Sequence, residues 1–141
     1  MAERTAEKFE LPLSIGLSDI DELGHVNNVV YLRWVQDAAV AHWRAAAPPQ
    51  AQKELLWVVA RHEIDYKRAA MPEDRIIAVT WIGQAFGLKF ERHTEILRAS
   101  DRKLLARALT HWVPVNPATM RPTEVSSDVR ALFSVPPAGS V

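Results

Sequence analysis

Between residues 28 and 46 the chain carries one long amphipathic segment, NVVYLRWVQDAAVAHWRAA, while its other apolar stretches read as strands. Val30, Tyr31, Trp34, Val35, Ala38, Ala41, His42 and Ala45 recur at helical spacing, and Pro48 and Pro49 stop the pattern. At 1.5 Å per residue this is a rod of roughly 28 Å. Its alanines keep it slim, so a sheet can close tightly around it.

Strands surround this helix in the sequence. Leu11 to Leu17 reads as a short strand, with Pro12 tolerated at its start or on an edge. After the helix, Leu55 to Lys67, Arg75 to Gly83, Leu88 to Arg98 and Lys103 to Val115 read as four more. In the first of these, alternation places Leu56, Val58, Ala60, His62, Ile64 and Tyr66 on one face. NPATMRP is a turn, and Ser127 to Phe133 is a short terminal helix capped by Ser126 or Ser127. The expected architecture is α+β, one long helix covering a five-stranded antiparallel sheet. It forms a single domain over residues 1–141 with a core at about 9–133. Leu55 to Val59 is apolar on both faces, which predicts a partner subunit that continues the sheet or packs onto it.

Composition narrows the function. Lys+Arg and Asp+Glu both number 17, so net charge asks for neither nucleic acid nor an anionic membrane. The absence of cysteine excludes disulfides, thiolate metal ligands and Cys nucleophiles. The N-terminal MAERTAEKFELPL breaks its apolar residues with charges, unlike a signal peptide, and no apolar run approaches the ~20 residues of a membrane span. The expected location is cytoplasmic.

Chemistry concentrates just before the helix, in DIDELGHVNN, from Asp19 to Asn28. The structural explanation is a helix start: Asn27 or Asn28 as N-cap, acidic residues near the positive helix end, and Gly24 in a turn. A second explanation uses the same parts. A helix terminus presents free N–H groups that stabilise an oxyanion, and a carboxylate such as Asp21 can attack a carbonyl or take a proton from water.

DIDELGHVNNVVYLRW resembles the signature of hotdog-fold thioesterases of the 4-hydroxybenzoyl-CoA and long-chain acyl-CoA group. The D-x-D-x-x-G-H-V-N-N-x-x-Y-L pattern is similar to that of bacterial long-chain acyl-CoA members and plant acyl-ACP thioesterases. EIDYKRAAMPEDRI, GLKFERHTEI and NPATMRP extend the likeness over roughly residues 9 to 133. The resemblance implies a hotdog fold and hydrolysis of an acyl-CoA thioester to free acid and CoA, without metal or other cofactor, in a homodimer or homotetramer. It places the catalytic carboxylate, nucleophile or general base, on Asp21 and the carbonyl-polarising backbone N–H on or near Asn28. His25 takes an accessory role in orienting water or substrate. Gly24, Asn27 and Lys89 fall at substrate-binding positions, and Asp19 holds the loop. Two positions depart from the plant enzymes: Leu23 stands where they have asparagine, and Ala69 where they have an acidic residue.

Other constellations are weaker. Five histidines lack an H-E-x-x-H or comparable ligand spacing, so no metal site is expected. No G-x-S-x-G elbow or phosphate-binding glycine loop is present. Lys67, Arg68, Lys89, Arg92 and Arg98 can meet CoA phosphates or simply lie on solvated strand faces. The alternative function is a non-catalytic hotdog protein that binds an acyl-CoA or an acyl-carrier protein. A hydratase on the same fold would need an Asp/His pair in a motif this chain lacks.

Overall fold

A computed structural model describes residues 6–138, so both ends of the expected 1–141 domain lie outside the described residues. Five strands, β1 (Phe9–Leu13), β2 (Leu56–Tyr66), β3 (Ile76–Phe86), β4 (Lys89–Arg98) and β5 (Leu104–Val115), form one antiparallel sheet in the order β1-β3-β4-β5-β2. Helix α1 (Asn28–Ala46) lies across one face of the sheet. Two short helices, α2 (Pro49–Glu54) and α3 (Ser127–Leu132), complete the fold.

Helix α1 has the bounds its periodicity predicts. Asn27 caps it by accepting the Val29 N–H at 3.0 Å. Val30, Tyr31, Trp34, Val35 and Ala38 are buried against Ile76, Ala78, Ile96, Ala106 and Ala108 of the sheet. Each fully buried branched side chain there contributes roughly 1.5–3 kcal/mol by leaving water. Toward the C-terminus the buried stripe runs through Ala39 and His42, while Ala45 is exposed.

Four expectations change. The first strand ends at Leu13 rather than Leu17, because the Asp19 carboxylate accepts the Gly16 N–H and pulls Leu17–Asp19 into a 3-10 turn. Pro12 nonetheless sits on an edge strand, as its missing N–H requires. Pro49 both ends α1 and starts α2, occupying the first helical turn where its fixed φ is favourable. Strand β3 runs on to Phe86, where Gly87 at φ +59 turns the chain into β4.

The fourth change concerns β2. Its pairing with β5 shifts register between Val59 and Arg61, so Ala60 is an extra residue. The bulge reverses the alternation: Trp57 and Val59, then His62 and Ile64, are the less exposed residues, and Leu56 and Val58 are exposed. The six residues expected on one face are therefore split between two.

A polar cluster interrupts the core at the C-terminal half of α1. The Arg92 guanidinium donates from Nη1 to His42 Nδ1 at 3.0 Å and to Thr80 Oγ1 at 3.1 Å. A guanidinium cannot accept, so His42 is neutral and carries its proton on Nε2. The imidazole stacks on Phe9 and meets the edge of Phe133. Burial, and secondarily the Arg92 charge, push His42 down to about 4. Its folded pKa lies below its unfolded value, so the unfolded chain gains a proton first as pH falls. Stability is therefore expected to drop between about pH 6.5 and 4. In urea titrations at pH 7 and pH 5, His42→Gln, which keeps an acceptor for Arg92, should show a smaller loss of midpoint than the parent. An equal loss in both proteins would assign the effect to other groups.

Candidate active site

The segment before α1 folds as a miniature antiparallel hairpin. Ile20 bridges Val26, the Asp21 N–H donates to the His25 carbonyl at 2.9 Å, and the Asn27 N–H donates to the Asp19 carbonyl at 2.8 Å. The turn closes through the Gly24 N–H on the Asp21 carbonyl at 3.0 Å, with Gly24 at φ +77, a conformation that side chains disfavour. Asp21 and His25 thus face each other across the hairpin, and Asn28 opens the helix directly after it.

Three sets of contacts hold this hairpin and the start of α1 in place. The Asp19 carboxylate is buried, accepting the Gly16 N–H at 2.9 Å and the Arg33 guanidinium at 3.1 Å. The Gly16 N–H first, then Arg33, hold its carboxyl below the usual range against the opposing cost of burial. The Ala70 peptide receives the Val26 N–H at 3.0 Å and donates its own N–H to the Tyr31 hydroxyl at 2.8 Å. Tyr66, at the end of β2, donates its hydroxyl to the Asn28 carbonyl at 3.1 Å. Val26 and Tyr31 therefore serve the frame.

Asp21 has a structural duty that its sequence context does not reveal. Its Oδ1 accepts the Leu23 N–H at 2.9 Å, closing an Asx turn. Among the described residues nothing donates to its Oδ2. The helix terminus is half satisfied. The Val29 and Val30 N–H groups are taken by Asn27, while among the described residues the Asn28 N–H has no acceptor. An available carboxylate oxygen and an available helix-terminal N–H thus lie at one hairpin–helix junction.

The predicted residues separate into two groups. Asp21, Gly24, His25, Asn27 and Asn28 are brought together. Lys89 is not: it starts β4 at the β3–β4 hairpin, whereas the N-terminal end of α1 packs near Ile96 of the same strand. Seven residues at ~3.3 Å put it roughly 23 Å along the strand from there. The site is open to solvent on one side, with Leu17, Leu23 and Val29 at 96%, 77% and 66% exposure. Among the described residues no group of three or more His, Asp or Glu side chains could hold a metal ion. No helix among them is long and apolar enough to cross a membrane.

A long helix held against a five-stranded antiparallel sheet, with a polar hairpin at the helix N-terminus, defines a hotdog domain. Residues 15–133 match the model of the thioesterase-like superfamily, and the chain belongs to that family. Among solved structures it is similar to a 1,4-dihydroxy-2-naphthoyl-CoA thioesterase from Synechocystis (TM-score 0.77, 21% identity, covering 90% of this chain and 96% of that one). It is also similar to a thioesterase from Thermus thermophilus solved with coenzyme A and zinc (TM-score 0.76, 22% identity, 88% and 90%). In sequence it is 26% identical over 105 residues to a chloroplastic palmitoyl-acyl carrier protein thioesterase of Gossypium hirsutum. That match takes in 68% of this chain, which spans about a quarter (25%) of the plant protein's length.

The burial of Arg92 escapes the sequence reading. Arg92 belongs by composition with the cations of solvated strand faces, yet it is only 5% exposed. The signal is present in the chain, because Arg92 alternates in phase with Phe90 and Thr94, both on the core face of β4.

The Asp19 latch is testable apart from chemistry. Asp19→Asn should lower stability by about 1–3 kcal/mol through loss of charge-assisted hydrogen bonds, read as a lower urea midpoint at pH 7. The parent should lose the same advantage as pH falls through the depressed Asp19 pKa, so the two curves converge in acid.

Proposed function

We propose that the chain hydrolyses acyl-CoA thioesters, with Asp21 as nucleophile or general base and the Asn28 N–H polarising the carbonyl. The observation that carries this reading is the pairing of an available Asp21 oxygen with an available Asn28 N–H at one helix terminus. In the general-base route Asp21 takes a proton from water, and the water oxygen adds to the thioester carbon. The Asn28 N–H then donates to the carbonyl oxygen and stabilises the negative charge that develops there. Collapse of the intermediate breaks the C–S bond, releasing the acid and the CoA thiolate, which picks up a proton. His25, opposite Asp21 in the hairpin, orients the water, while Gly24 and Asn27 shape the turn that receives the thioester. Lys89 belongs to substrate binding only if a second subunit brings it to the site. Asp21→Asn should keep the melting temperature and lower turnover by about 10²–10⁴-fold in a thiol-release assay over a panel of acyl-CoAs. Near-full activity in this variant would remove Asp21 from the chemistry.

One contact favours the binding-protein alternative: the Asx turn gives Asp21 a role without catalysis. Saturable acyl-CoA binding by the parent without thiol release is the outcome that selects it.

The open site and the free edge of β2 support a homodimer or homotetramer. Strand β2 ends the sheet and exposes Leu56 and Val58, while Leu23 and Val29 expose apolar surface beside Asp21. Light scattering should give two or four times the chain mass. The double variant Leu56→Lys/Val58→Lys should shift toward monomer and lose activity with it; a monomeric parent with full activity would contradict this assembly.

A further inference from the structure

At the start of α1 the backbone N–H groups of residues 27, 29 and 30 are all engaged. Asn27 accepts the Val29 N–H through its side chain at 3.0 Å and the Val30 N–H through its carbonyl at 2.9 Å. It gives its own N–H to the Asp19 carbonyl at 2.8 Å. The Asn28 N–H is left over, so whatever aims it decides what it can do. Residue 28 is gripped from both sides. Before it, the Asn27–Asp19 bond joins the helix to the hairpin; after it, the Asn28 carbonyl receives the Tyr66 hydroxyl at 3.1 Å. Among the described residues, Tyr66 is the one side chain of the sheet that bonds to the backbone of this turn.

Tyr66 is held where that bond needs it. It is the last residue of β2, opposite Ala106 of β5, and the next two N–H groups, of Lys67 and Arg68, both donate to the Leu105 carbonyl. Its ring meets Tyr31 edge to face, at 5.3 Å between centroids and 89° between planes. Tyr31 is buried, and its hydroxyl accepts the Ala70 N–H, while the Ala70 carbonyl receives the Val26 N–H of the hairpin. A closed circuit thus runs from β2 through Tyr66 to Asn28, and back through Tyr31 and Ala70 to the hairpin. Yet Tyr66 is 49% exposed, so without Asn28 its hydroxyl would bond to water instead. A hydrogen bond exchanged for one with water adds little to stability. Its consequence is geometric: helix ends fray, and this bond fixes the first turn at residue 28.

We propose that Tyr66 is a positioning residue for thioester hydrolysis, its hydroxyl holding the first turn of α1 so that the Asn28 N–H points at the carbonyl oxygen as that oxygen gains charge. This rests on the reading of Asn28 as the polarising donor. In this role Tyr66 acts through Asn28 and needs no contact with the substrate. An oxyanion donor works within about 2.7–3.1 Å of the place where the charge forms, and a misplacement of about 1 Å costs up to ~10²-fold in rate. Loosening the turn leaves the donor present but misaimed for part of the time, so the expected loss is smaller, about 10-fold. The interaction strengthens as charge develops, so the loss falls on kcat rather than KM.

The test is steady-state thiol release by Tyr66→Phe with the acyl-CoA that the parent hydrolyses fastest. Phenylalanine keeps the ring on Tyr31 and deletes only the hydroxyl. Its kcat should fall about 10-fold, with KM and melting temperature unchanged. A para-aminophenylalanine at position 66 restores a donor at the same place and should recover most of kcat, a rescue that a purely packing role would not show. In amide hydrogen exchange of the full chain, Tyr66→Phe should speed exchange at Val29 and Val30 several-fold and leave Val35 unchanged. Parent-like kcat in Tyr66→Phe, a raised KM at unchanged kcat, unchanged exchange at Val29 and Val30, or no recovery with the amine would each overturn the assignment. Where Asp21→Asn is inactive in the same assay, such a result removes Tyr66 alone. A parent that releases no thiol removes the reading of Asn28, and the role of Tyr66 with it.

Discussion

Nineteen residues of helix have to pack across one face of a five-stranded sheet, and the rest of the architecture follows from that packing. Small residues at Ala38 and Ala39 let the helix approach closely, while Tyr31, Trp34 and Val35 fill the space nearer its start. With one long helix for five strands among the described residues, neither end of α1 is covered by a second long element. The N-terminal end exposes a peptide donor beside a carboxylate. The C-terminal end leaves an aromatic-walled pocket.

The two ends solve their electrostatics differently. At the N-terminus the anion of Asp19 is buried against a backbone donor and a half-exposed guanidinium, so the loop gains rigidity from a satisfied charge. That rigidity leaves Asp21, two residues on, held by its own turn with one oxygen still available. At the C-terminus Arg92 is buried, and among the described residues its side chain donates to neutral acceptors only. Its neighbour His42 answers by staying neutral, since a second positive charge in that space would be repelled and poorly solvated.

Much of the fold was legible because its largest element is local. The 3.6-residue pattern, Asn27 and the two prolines determine α1 with no help from the sheet, and Ser126 marks α3 in the same way. Strand alternation was legible where pairing is regular, as in β4. It failed in β2, because a bulge is decided by the partner strand: the extra residue at Ala60 answers the register of Trp112 and His111 and leaves no mark in its own composition. The early end of β1 is similar, since a carboxylate three residues away captures Gly16 and bends a segment whose alternation reads as continuous strand.

By itself the sequence determined one long helix among strands, the polar junction at its start and the residues gathered there, because caps, turns and periodicity act over a few residues. Only the tertiary structure decided that Asp21 closes an Asx turn, that Lys89 stands at the far end of β4, and that Arg92 is buried against His42 and Thr80. Those outcomes depend on which strands become neighbours. Burial and the loss of solvent screening belong to the assembled layers, and no stretch of chain carries them alone.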